Sequence, residues 1–153
     1  MRQFMFALLM GLAPFAGAVF AEALAFGTAE EARAMLDRAV AALKQDKAAA
    51  IEKFNAGSDG FRFRDLYVTC ADADGKVTAH PDPALIGVDR NTLVDVNGKA
   101  FGAEIQKVAE EGKVAEVTYM YVRPGNGNTP RQKVAYVTKV EDQICLVGYY
   151  LQQ

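Results

Sequence analysis

The amino-acid sequence predicts an α+β domain: a long N-terminal helix packed on a five-stranded antiparallel sheet, with a short second helix between strands. Three observations carry that expectation. Apolar residues recur at helical spacing after Thr28, two alternating runs flank an Asp72-Ala73-Asp74-Gly75 turn, and three further alternating runs close the chain. Helix, two strands, helix, three strands with short connections favours antiparallel packing. With 153 residues and 51% hydrophobic content, one domain with a real core is expected, and two would be crowded.

Residues 1–25 read as a secretory signal, which leaves 26–153 as the domain. Arg2 supplies the positive start, Phe4–Leu12 is apolar, and small residues follow at Ala21 and Ala25, either of which suits cleavage. The competing reading is an uncleaved membrane anchor; Pro14, Gly17 and the shortness of the run speak against it. Later apolar runs are strand-sized and bounded by charges or turns, so none is expected to span a bilayer. The expected location is therefore the periplasm or the exterior. Net charge is −2 with an isoelectric point near 5.4, so the chain offers no basic field for nucleic acid.

The first helix opens with a capping box, Thr28-Ala29-Glu30-Glu31. Ala32, Met35, Leu36, Ala39, Leu43, Ala50, Ile51 and Phe54 continue one apolar stripe, and Asn55-Ala56-Gly57 ends it. Such a helix either covers the sheet or pairs with its copy in a homodimer. Leu66–Ala71 and Lys76–His80 form a β-hairpin that stops at Pro81, because Pro81 and Pro83 cannot donate to a ladder. His80, the chain's single histidine, stands at that exit. Residues 85–99 carry turn signals but little periodicity. A short helix is expected from Phe101 to Glu111, closed by Gly112, and strands at Val114–Val122, Gln132–Val140 and Ile144–Tyr150.

A Tyr-Val strand from Tyr67, the Asp72–Gly75 turn, Ala79-His80-Pro81, and then Pro83-Ala84-Leu85-Ile86-Gly87 resemble the single Cache domains, extracytoplasmic relatives of PAS domains. Asp95–Phe101, Glu116–Tyr121, Lys133–Tyr136 and Gly148–Tyr150 continue the likeness in family order, over roughly residues 28 to 151. The resemblance implies a PAS-like fold with its first and last strands adjacent. It also implies a sensor whose output lies in a membrane partner, such as a receptor or kinase, since no output domain follows in this sequence. An exported chain with two cysteines, Cys70 and Cys145, is expected to pair them if those strands are neighbours; the alternative is two separately buried thiols.

No catalytic residue, metal site or cofactor is expected. Ser58, the one serine, lies outside any nucleophile motif, one histidine with two cysteines cannot supply a zinc shell, and Asp72-Ala73-Asp74-Gly75 lacks the later ligands of a calcium loop. The resemblance implies instead a ligand pocket between the sheet and residues 81–101, at His80, Tyr119, Tyr121, Lys133 and Tyr136. Hydroxyls, an imidazole N–H and an ammonium suit a short-chain carboxylate. Tyr119 and Tyr121 share a face, whereas Lys133 and Tyr136 are three apart and meet in one pocket only if the strand carries a bulge. The family's tryptophans are missing, with Tyr121 at one such position. The rival expectation is a Cache-fold interaction module that holds no ligand.

Overall fold

The computed structural model describes residues 26–125 and 127–152, so the signal segment expected at 1–25 lies outside the described residues. Thr28 caps the first helix, α1 (Ala29–Gln45), through its side chain to Glu31 N, and the Glu31 carboxylate reaches back to the Thr28 amide. The single long helix read from the sequence is in fact two. Asp46 adopts an extended conformation, ends α1, and caps α2 (Lys47–Ala56) by accepting from Ala49 N. A short carboxylate that competes for backbone amides breaks the helix there. Gly57, at φ +64°, closes α2, with its own amide on Phe54 O and that of Ser58 on Lys53 O.

The sheet has six strands rather than five. The additional one is β1 (Arg62–Phe63), a two-residue strand that folds back on β2 (Leu66–Asp72). Next come β3 (Val77–Ala79), the short helix α3 (Phe101–Val108), β4 (Ala115–Val122), β5 (Pro130–Val140) and β6 (Gln143–Tyr150). The order is β1-β2-β6-β5-β4, with β3 also on β2 and every strand pair antiparallel. The first long strand and the last are thus neighbours. Cys70 sits opposite Cys145 in that pairing, and the two are joined in a disulfide.

Alternation gives the sheet two faces. On one, α1 and α2 lay Met35, Leu36, Ala39, Leu43 and Phe54 over Leu66, Val68, Val147 and the disulfide. On the other, Phe101 and Ile105 of α3 pack on Val117, Tyr119, Val137 and Leu146. Gly102 allows this approach, because a Cβ there would overlap the Arg90 carbonyl. Helix α3 stops at Val108, short of the expected Glu111. Beyond it the chain turns to meet the sheet, where Lys139 N donates to Glu110 O.

Candidate functional site

The site is built on the α3 face, where β2, β4, β5 and β6 all contribute polar side chains to a mostly apolar surface. β5 runs in unbroken register with both neighbours, pairing Lys133 with Tyr119 and with Tyr150. Lys133 therefore points to the α3 face. It is 1% exposed, and its ammonium donates to the Tyr67 hydroxyl at 2.8 Å. Tyr67, Tyr150 and Tyr121 surround it, with ring centroids 4.2, 5.0 and 5.4 Å from Nζ. No carboxylate forms an ion pair with it among the described residues. Burial pulls its pKa down to about 7, with the more distant Asp65 opposing. Asp65 is itself engaged, by Gly27 N at 2.6 Å and Arg123 Nε at 2.7 Å.

Without a bulge in β5, Tyr136 falls on the helix-covered face, beside Tyr149 at 5.8 Å between rings. The structure brings His80, Tyr119, Tyr121 and Lys133 together and leaves Tyr136 apart.

His80 is fixed by the proline-rich exit from β3. Its amide donates to Asn55 Oδ1, and its Nδ1 accepts from Asp82 N at 2.9 Å, so the ring proton is on Nε2. The ring meets Tyr67 edge-on at 5.2 Å. Burial, then the Lys133 charge, lowers its pKa to about 4, which keeps it a neutral donor. From Asp82 the chain makes a turn of 3₁₀ helix at Pro83–Leu85 and a second at Arg90–Thr92 before entering α3. Backbone bonds pin this strap to β3, with Val77 N on Val88 O and Gly87 N on Val77 O.

Between strap and sheet lies an inner cavity of about 40 Å³, bordered by Thr69, His80, Leu85, Arg90, Tyr119 and Tyr121 among apolar neighbours. An open groove of about 570 Å³ runs outside it past Arg62, Val94, Val96 and Arg123. His80, Leu85 and Tyr121 border both spaces and so form the partition between them. Tyr119 stacks on Phe101 at 4.2 Å, and burial raises its pKa well above the ordinary tyrosine value; that of Tyr121 rises to about 12 for the same reason. Both hydroxyls stay protonated, as donors.

Tyr67, Tyr150 and Arg90 were not among the residues expected from the sequence. Tyr67 was available from alternation, being two residues before Thr69 on the same face. Arg90 lies in the aperiodic strap, where no pattern announces a buried side chain.

The family model for single Cache domain 2 matches residues 26–151. The chain belongs to this family. Single Cache domains are extracytoplasmic sensors of ligands, generally signalling modules rather than enzymes. A methyl-accepting chemotaxis protein from Vibrio parahaemolyticus RIMD 2210633 is similar in structure with a TM-score of 0.66 and 25% identity, over 86% of this chain and 90% of that one. A periplasmic sensor domain of a chemotaxis protein follows at 0.62 and 23%, over 88% and 94%. A Cache chemosensory domain whose structure concerns carboxylic acid recognition gives 0.61 and 20%, over 91% and 100%. No curated protein matches the chain. Among the described residues, no helix of this Cache domain is long and apolar enough to cross a membrane, and no cluster of metal-ligating side chains is present.

Proposed function

We propose that this Cache domain, exported and freed from residues 1–25, binds a short-chain carboxylate in the inner cavity and reports its presence to a separate membrane partner. One observation carries the ligand class: Lys133 is a buried ammonium with three tyrosine rings and a hydroxyl around it and no carboxylate paired to it. Burying such a charge is costly unless an anion joins it. His80 Nε2–H and the hydroxyls of Tyr119 and Tyr121 add neutral donors, while Leu85, Phe101 and Leu146 offer walls for a short apolar tail. The likeness to a domain described for carboxylic acid recognition supports the same class.

The small inner cavity favours a second reading, in which Tyr119 and Tyr121 fill the site of a module that binds no ligand. At about 10–15 Å³ per water, 40 Å³ holds about three waters. A two- or three-carbon acid then fits only if the partition of His80, Leu85 and Tyr121 shifts. Thermal-shift measurements with acetate, propionate, amino acids and purines decide between the two. An acid at a hundred times its dissociation constant raises the melting temperature on the order of 10 °C. No shift with any compound leaves the ligand-free module.

A further inference from the structure

Arg90 is a second buried cation on this face of the sheet, and unlike Lys133 it borders the inner cavity directly. It is 3% exposed, and two of its nitrogens are committed, Nη1 to Ile144 O at 3.1 Å and Nη2 to Gln106 Oε1 at 3.3 Å. Gln106 is held in turn by its amide on Ala73 O. The guanidinium is thus clamped between β6 and α3, with its orientation set. Its Nε is buried and has no hydrogen-bond partner, and no carboxylate ion-pairs with it among the described residues. Burial lowers the pKa to about 10, which leaves the group charged at neutral pH.

A buried charged donor with one idle N–H calls for an acceptor. Arg90 borders the same 40 Å³ space as His80, Tyr119 and Tyr121. Once the partition of His80, Leu85 and Tyr121 has shifted to admit a two- or three-carbon acid, that acid shares the space with Arg90 as well as with the tyrosines.

We propose that Arg90 is a specificity-determining residue whose Nε–H donates to an oxygen on the carbon beside the carboxylate, so that the domain selects 2-hydroxy and 2-oxo acids over plain alkanoates. This rests on the carboxylate reading of the site. A plain acid leaves the arginine donor unmatched, and sites built to bond a hydroxyl discriminate strongly against analogues that lack it.

The test is calorimetric titration of the purified chain with two matched pairs, glycolate against acetate and lactate against propionate. The expected result is about tenfold tighter binding of each oxygenated acid, with the ratio falling to about twofold or less in Arg90→Gln and Arg90→Lys. General loosening of the fold weakens both members of a pair alike and leaves the ratio unchanged. Should both variants fail to fold, the Arg90 Nε–H resonance of the wild-type chain replaces them, and is expected to shift with glycolate and not with acetate. Equal affinity within each pair, a ratio retained in a folded variant, or a resonance indifferent to glycolate overturns the role of Arg90 alone. Absence of binding by all four acids overturns the carboxylate reading, and this inference with it.

Discussion

Lys133 on β5 reaches across the whole width of β6 to the hydroxyl of Tyr67 on β2, 2.8 Å away. The strand between them makes this possible at one residue. Gly148 has no side chain on the α3 face, and a Cβ there would overlap the Lys133 chain at Cε and crowd Cδ and Cγ, both 3.1 Å away. The glycine is the saddle over which the lysine lies.

Gly148→Ala is therefore expected to displace the ammonium from its tyrosine cage. Overpacking of this kind costs about 1–3 kcal/mol, and chemical denaturation will measure it. The same variant is expected to lose affinity for carboxylates by more than its stability loss explains, which titration of the folded protein checks. Unchanged affinity means that the position of Lys133 is irrelevant to binding.

Lys133→Met separates binding from stability. Methionine is close to the lysine stem in volume and carries no charge, so the desolvation cost disappears while the tyrosines keep their packing. The variant is expected to be more stable than the wild type at pH 7, on the order of 3 kcal/mol, since the lysine is fully buried and its pKa is drawn from 10.5 to about 7. It is also expected to bind no carboxylate. A destabilised Lys133→Met would show that the ammonium is already well compensated by Tyr67 and the rings.

The topology was legible in the sequence because turn chemistry and alternation are local: Asp72 Oδ1 accepts from Asp74 N and Lys76 N, as a hairpin turn of that composition should. The break at Asp46 was hidden because Leu43 and Ala50 are seven apart, so the apolar stripe keeps its phase through the interruption. Burial of Lys133 was equally hidden. A strand lysine looks solvated in any one-dimensional pattern, and the sign to the contrary, a glycine within Leu146-Val147-Gly148-Tyr149, lies on another strand. Arg90 had no signal, since 3₁₀ turns impose no long period on the side chains they bury. Of the expected set, Tyr136 was separated by parity alone, once β5 proved free of a bulge.

The Cys70–Cys145 bond ties β2 to β6 under the helices, across a sequence separation of 75. Chain-entropy accounting for such a loop gives about 4 kcal/mol. Replacing both cysteines by alanine is expected to lower the unfolding free energy by about that amount, read from denaturant melts. Because both sulfurs lie on the helix face, away from Lys133, the carboxylate affinity of the folded variant is expected to stay within about twofold of wild type.

The pH dependence of stability and that of binding are expected to run in opposite directions. Lys133 titrates near pH 7 when folded and 10.5 when unfolded, so between those values the unfolded chain holds the extra proton. Stability therefore rises with pH across that window, until the unfolded tyrosines begin to ionise near pH 10. His80 adds a similar rise between about pH 4 and 6.5, because it is held neutral in the fold and charges first when unfolded. Carboxylate binding needs the ammonium, which is fully present only below pH 7. Affinity is thus expected to fall about thirtyfold from pH 6 to pH 8.5, with proton uptake on binding near pH 8 detectable as a buffer-dependent heat. His80, already neutral throughout that range, contributes nothing to the fall. A histidine-driven site would instead change its affinity on the acid side of pH 7, so calorimetry at pH 5, 6, 7 and 8.5 identifies which of the two groups holds the anion.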